Sequence, residues 1–473
     1  MSAETAYLFR HALVREAAYE LQLPADRARL HELAFHLIEA AFGGKPPQPD
    51  RLDESPVATT RYHQIDSVAA EMCRHAEIAL ANAATENPEL SAAYLVYLQR
   101  AAEHAARLNQ NHLAMQLWLK LGDRLEGSLK GEAIRRAGDI AARMGRKDEA
   151  ERALNQALEI HRQAGKADLA ANVIANFAVH FTICGDAAKA VEMAKQALAE
   201  LKEAGDSSRR AAPLAVLAIQ YQHTGQTELV CQSYEELLAL YRSGGKKADL
   251  AKALGNYAIH FLERGQFDEA ERMLNEALQI HRDIENLPSQ GVVYGLIANL
   301  CYNMKRWDEA EAGYLQALGL LRKTGLRTQM ATNLANLASL YNQVGKTDES
   351  EQCFLESLDI SREVGSLRDE GFALGNLAGV YHATGRLAEA ERAFLRALEL
   401  DRASRYRRIE AAHLCDYACL LIALDRADEA RTRWLEGIGI LTELGDNVTL
   451  DEKHESMEKA CAQAGLESFR RDL

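Results

Sequence analysis

Asparagine recurs at Asn176, Asn256, Asn336 and Asn376, at separations that are multiples of forty residues. A carboxamide donates and accepts hydrogen bonds at once. A row of them can therefore hold an extended peptide by its backbone without reading its sequence. Inside a helix Asn costs roughly 0.5 kcal/mol or more against Ala, so four copies in one column need a reason. Two reasons serve: capture of a polypeptide, or a bond from each amide to the neighbouring repeat that fixes stacking. Further polar groups stand three and six residues beyond this column, among them Asn299 in the first row and Tyr302, Asn342 and His382 in the second. Lys252 precedes Asn256 by one helical turn.

Other groupings point to less chemistry. Cys415 and Cys419 share a helix face, but at about 100° per residue His413 points away from both, and a metal site normally needs four ligands. His11 and His31 sit in amphipathic stretches with no carboxylates or cysteines gathered at ligand spacing. His180 and His260 share a column and are expected to fill helix contacts. Gly43-Gly44-Lys45-Pro46 echoes a phosphate-binding loop, but proline replaces the Ser/Thr and no strand precedes it. No nucleophile, base and orienting group assemble, so an enzyme is not expected, and neither is a cofactor or metal.

The elements that position the asparagines repeat every forty residues. ATNLANLASLYNQVGKTDESEQCFLESLDISREVG (331–365) aligns with GFALGNLAGVYHATGRLAEAERAFLRALELDRASR (371–405). Leu334, Leu337, Ala338 and Tyr341 fall at i, i+3, i+4 and i+7, the period of a helix. Gly145, Gly185, Gly225, Gly265, Gly345 and Gly385 form a column that ends each first helix (helix A), with Lys305 and Asp425 as its exceptions. The second helix (helix B) carries small residues seven apart, as at Ala390 and Ala397, with Phe394 between them. A basic column including Arg162, Arg242, Arg322 and Arg402 stands in its last turn, where a cation complements the negative helix end. Repetition at such a period marks a stack in which no unit buries its apolar face alone.

Leu377, Ala378, Tyr381, Ala390, Phe394 and Ala397 carry the clearest copy of this pattern, which resembles the tetratricopeptide repeat. The forty-residue unit is similar to the long repeats of kinesin light chains. The resemblance implies an all-α fold, a right-handed α-solenoid of tetratricopeptide helix hairpins, whose A helices line a concave groove. The position one before the signature leucine then faces the groove: Arg136, Asn176, Val216, Asn256, Leu296, Asn336, Asn376 and Asp416. Kinesin-light-chain-like arrays use an equivalent asparagine ladder to hold peptides. Gly255, Gly295 and Gly375, beside the ladder, are expected to keep the groove floor low. The carboxylate clamp of chaperone-binding members needs several basic residues in register. Only Lys252 is placed, so a free C-terminal carboxylate is not the expected ligand.

Phe9-Arg10-His11-Ala12-Leu13-Val14-Arg15-Glu16-Ala17-Ala18-Tyr19, with Arg29-Leu30-His31, resembles the junction between the ATPase module and the sensor array of bacterial signal-transduction ATPases, including cyclase and kinase fusions. The resemblance implies a sensor portion or stand-alone descendant without an ATPase of its own. The expected organisation is a helical segment at 1–41 and a Pro/Gly-rich linker at 42–60. Degenerate helices and a diverged repeat follow at 61–130, then eight repeats at 131–450 and a capping helix with a tail at 451–473.

Composition narrows the partner. The 473-residue chain carries a formal net charge of −14, which disfavours nucleic acids and anionic membranes. Eight scattered cysteines, no membrane-length apolar run and no signal-peptide core make a cytoplasmic location the expectation. The function expected is a protein- or peptide-binding scaffold or sensor in bacterial signalling, partnered by an extended peptide or by a signalling ATPase, cyclase or kinase. The alternative is a self-association or autoinhibitory arm with no separate ligand.

Overall fold

The computed structural model describes residues 22–54, 62–83, 85–404 and 406–469, and all regular structure among them is helical. The expectations for Phe9–Tyr19 and His11 lie outside these residues. Helix α1 is Pro24–Ala41; after the 3₁₀ turn Gln64–Val68 come α2 (Ala69–Asn82), α3 (Pro88–Arg107) and α4 (Asn111–Gly122). From there A and B helices alternate: α5 (Gly127–Arg143), α6 (Lys147–Gln163), α7 (Ala167–Cys184), α8 (Ala187–Glu203), α9 (Ala211–His223) and α10 (Thr227–Ser243). They continue as α11 (Lys247–Leu262), α12 (Phe267–Asp283), α13 (Leu287–Asn303), α14 (Trp307–Thr324), α15 (Arg327–Gln343) and α16 (Thr347–Val364). The last are α17 (Leu367–Ala383), α18 (Leu387–Ser404), α19 (Arg407–Ala423), α20 (Ala427–Leu444) and α21 (Asn447–Ala464). Two compact units divide between Gln220 and Tyr221, inside α9.

The glycine column does what its spacing predicts. Gly185, Gly345 and Gly385 have φ of +76°, +79° and +75° at the ends of A helices. The exceptions keep the same left-handed backbone without the glycine: Lys305 has φ +59° and Asp425 +58°. Asn109, in the turn of the α3–α4 hairpin, has φ +56°. Most B helices begin with carboxylates, Asp348 and Glu349 in α16 among them, with α8 an exception; these suit the free N–H groups there.

The small–large–small column of helix B is buried throughout: Ala390, Phe394 and Ala397 in α18, and Ala430 and Trp434 in α20. Each large side chain contributes roughly 1.5–3 kcal/mol by leaving water. Where serine replaces alanine its hydroxyl is satisfied, Ser350 Oγ donating to the Ala338 carbonyl and Ser357 Oγ to that of Ala331, both at 2.8 Å.

Two ladders of charge tie successive repeats. The basic column at the end of helix B reaches the next B helix: Arg242 donates to Glu276 at 2.9 Å, Arg322 to Glu356 at 3.1 Å and Arg402 to Glu436 at 3.0 Å. At the other end of the hairpins Lys346 donates to Glu311 at 3.0 Å and Arg386 to Glu351 at 2.9 Å, while Arg426 pairs with Glu391. Exposed pairs of this kind contribute about 0–1 kcal/mol each, so they act on register more than on stability.

The three glycines beside the ladder are buried rather than forming a groove floor. Gly295 lies against the Asn333 amide and Gly375 against the His413 ring, and a Cβ at either would overlap that side chain. Gly295 and Gly375 accommodate large polar residues of the following A helix where other repeats have Ala or Val, whereas a Cβ at Gly255 would meet only Leu296 at 3.7 Å.

Candidate functional site

In the unit Tyr221–Leu473, five A helices present the ladder. Asn256 (α11), Leu296 (α13), Asn336 (α15), Asn376 (α17) and Asp416 (α19) are all half-buried, while the residues on either side of Asn256, Asn336 and Asn376 are buried. This unit curls tightly. Glu263, just after α11, lies 3.8 Å from Arg408 of α19. Tyr302, at the end of α13, has its hydroxyl pKa raised by burial first and then by Glu452 of α21. Lys305 acts electrostatically on Glu455 of the same helix. The ends of early A helices thus approach late A helices across a narrow trough.

The asparagines are partly engaged. Asn336 Nδ2 donates to Asn299 Oδ1 of the preceding A helix at 3.1 Å, and Tyr314 Oη donates to the same oxygen at 2.5 Å. Asn376 Nδ2 donates back to the Phe372 carbonyl at 2.8 Å. Asn176 lies in the other unit, Met1–Gln220, where its Oδ1 accepts from Arg135 at 3.1 Å. Asn256 is half-buried, and Asn342 and Lys252 are exposed. A primary amide has two N–H donors and two acceptor lone pairs, so one bond leaves most of its capacity open.

His382 lies in a different setting. It lines a cavity of about 250 Å³ with Gly379, Asp416, Cys419, Ser456 and Lys459. Burial lowers the His382 pKa, with Asp416 opposing. Asp416 accepts from Lys453 of α21 at 2.8 and 2.9 Å, and the Cβ of a residue at Gly379 would meet nothing within 4 Å. Sequence reasoning treated α21 only as a cap. The signal that marks this end was the carboxylate of Asp416 in a column of amides. A second cavity, of about 280 Å³, lies between α10, α11 and α12 and touches none of the ladder residues.

The remaining candidates resolve into packing. His413 contacts Asp401 rather than the cysteines. Burial raises the thiol pKa of Cys415, and that of Cys419 to about 12, so both are held as neutral thiols. His31 Nδ1 lies 2.8 Å from His75 Nδ1. Among the described residues no group of three or more His, Cys, Asp or Glu side chains is placed to hold a metal ion. One described helix, α7, is long and apolar enough to cross a membrane, and 56% of it is buried within the protein.

Family models match three stretches of the chain: the MalT-like TPR region at residues 171–354, and tetratricopeptide repeats at 369–442 and 136–163. This is a tetratricopeptide-repeat protein. No curated protein is a significant sequence match. Solved structures similar to this tetratricopeptide-repeat chain include a Rap protein complexed with the competence and sporulation factor. The two are 14% identical, with 74% of this chain and 99% of that one covered and a TM-score of 0.54. The apo quorum sensor NprR from B. thuringiensis gives 14%, 73%, 97% and 0.53. A signal-transduction ATPase with a tetratricopeptide repeat sensor from Pyrococcus horikoshii gives 15%, 70%, 53% and 0.46.

Proposed function

We propose that this protein is a non-catalytic sensor or scaffold that holds an extended polypeptide along the A-helix face of its second unit. Asn256, Asn336 and Asn376 bind the peptide backbone, while Asn299, Asn342, Lys252, Tyr302 and His382 supply side-chain contacts. The observation that carries this reading is the row of half-buried hydrogen-bonding side chains between buried neighbours, on A helices that curl into a trough. Neighbouring helices stand roughly 10 Å apart, about three residues of extended chain at roughly 3.3 Å each. Asn336 and Asn376, on successive A helices, would thus meet residues about three apart in the peptide, and Asn256, two A helices before Asn336, one about six residues further on. The Rap protein bound to the competence and sporulation factor, and the quorum sensor NprR, share the fold and support a role in signalling. The partner we favour is an extended peptide. A signalling ATPase, cyclase or kinase rests on the N-terminal sequence resemblance.

A second reading has its own support: the bonds Asn336–Asn299 and Arg135–Asn176 join adjacent repeats, as a ladder that only specifies stacking would. Affinity capture from the native cell extract, with Asn256, Asn336 and Asn376 replaced together by alanine as control, tests the two. Groove binding requires that the captured partner be lost from the variant while it melts as the parent does. A variant that melts lower and still captures the partner supports stacking.

A further inference from the structure

Residues 45–54, KPPQPDRLDE, cross the first helices of the unit Met1–Gln220 in a way that makes them a ligand of their own chain. The segment has no regular secondary structure from 46 to 51. Pro46, Pro49 and Leu52 are less exposed than the residues between them. A spacing of three is the period of a polyproline II helix, which turns one face inward every third residue. Leu52 is 2% exposed and belongs to the same apolar cluster as Trp118 and Leu98.

The array holds this segment chiefly by its carbonyls. Gln99 Nε2 donates to the Asp50 carbonyl at 2.9 Å, Arg100 Nη1 to that of Pro47 at 3.1 Å and Arg209 Nη2 to that of Asp53 at 3.4 Å. Ser128 Oγ adds a bond to Asp53 Oδ2 at 2.9 Å. Proline has no N–H, so a proline-rich chain offers its surroundings acceptors, and the array answers with donors. The donor at Arg100 is fixed in advance. Its guanidinium is buried against Asp66, at 2.6 and 3.1 Å, and Arg107 reaches the same carboxylate at 3.2 Å. One turn along α3 from Gln99, Glu103 lies 3.9 Å from Arg136, which stands in the same repeat column as the asparagines.

We propose that α3, α5 and Arg209 form a recognition site for extended, proline-rich peptides with an apolar residue three places after a proline. Residues 45–54 are its intramolecular occupant. This extends to the unit Met1–Gln220 the reading that the protein captures extended polypeptide, and rests on it: a partner of this chemistry must displace the strap from Gln99, Arg100 and Arg209. A tethered occupant competes at an effective concentration in the millimolar range, so the intact chain excludes a micromolar competitor.

The test uses a synthetic Lys45–Glu54 peptide and the full chain carrying Pro46→Ser, Pro49→Ser and Leu52→Ser. The variant should bind the peptide at least tenfold more tightly than the parent and melt higher in its presence. Replacing the peptide's own leucine by serine should abolish both effects. If the triple variant loses its helical circular dichroism, Leu52→Ala alone serves. Trypsin should then cut after Arg51 faster than in the parent, and the added peptide should slow that cleavage. A folded variant that ignores the peptide, a parent that binds it equally well, or cleavage unaffected by Leu52→Ala or by the peptide overturns the proposal. None of these readouts involves Asn256, Asn336 or Asn376, so failure here leaves capture by the second unit standing.

Discussion

His413 Nδ1 lies 2.8 Å from Asp401 Oδ2, and both side chains are buried. The pair joins α18 to α19, and it fits only because Gly375 of α17 leaves room for the imidazole. Removing one partner of a buried hydrogen bond leaves the other unsatisfied, at about 1–3 kcal/mol. His413→Ala should therefore destabilise the second unit by that order. Gly375→Ala should also destabilise it in the parent, because the new methyl overlaps the ring. In a His413→Ala background the same change should cost almost nothing. Urea melts of the four proteins give the coupling directly.

The left-handed turns at Lys305 and Asp425 make a second case. A side chain there carries about 1–2 kcal/mol of backbone strain that glycine avoids, offset in part by the greater freedom glycine has when unfolded. Lys305→Gly and Asp425→Gly should each raise the melting temperature. The expected gain is up to about 1 kcal/mol, and the two should add because they lie three repeats apart.

His260 sets an acid limit. Burial, followed by the neighbouring Arg264, lowers its pKa to about 4 from an ordinary 6.5. Below 6.5 the unfolded chain takes up a proton that the folded one refuses, so the contribution of this residue to stability falls as pH drops from about 6.5 to about 4. It is constant above that window. His260→Gln should flatten this part of the stability profile, measured by denaturant melts at stepped pH.

The charge ladders should matter little to stability. Arg322→Ala removes its bond to Glu356, an exposed pair, and should cost less than about 1 kcal/mol, and still less in molar salt.

What could be read from the residues is what recurs locally. The helical period, the left-handed turns at Gly345 and Gly385, and the buried Ala–Phe–Ala column each depend on neighbours a few residues away or one repeat on. The site was legible as a set of positions sharing a face. That Asn336 bonds Asn299, or that Gly375 makes room for His413, depends on how adjacent helices interlock, which a column of residue types leaves open. Longer reach was hidden altogether. Nothing in the spacing places Glu263 beside Arg408, because the curl of the unit sums small rotations over several repeats. The prolines of residues 46–49 mark an irregular segment, and composition does not say that Gln99 and Arg100 receive it.

The central claim, that amides on the A helices of the second unit hold a partner's backbone, is tested most directly by calorimetric titration of a captured peptide. The parent is compared with the Asn256→Ala, Asn336→Ala, Asn376→Ala protein, and both are melted in parallel. Losing three hydrogen bonds of about 0.5–1.5 kcal/mol each should weaken binding at least tenfold while the melting temperature stays within a few degrees. Unchanged affinity, or a loss of affinity that only tracks a collapse in melting temperature, would contradict it.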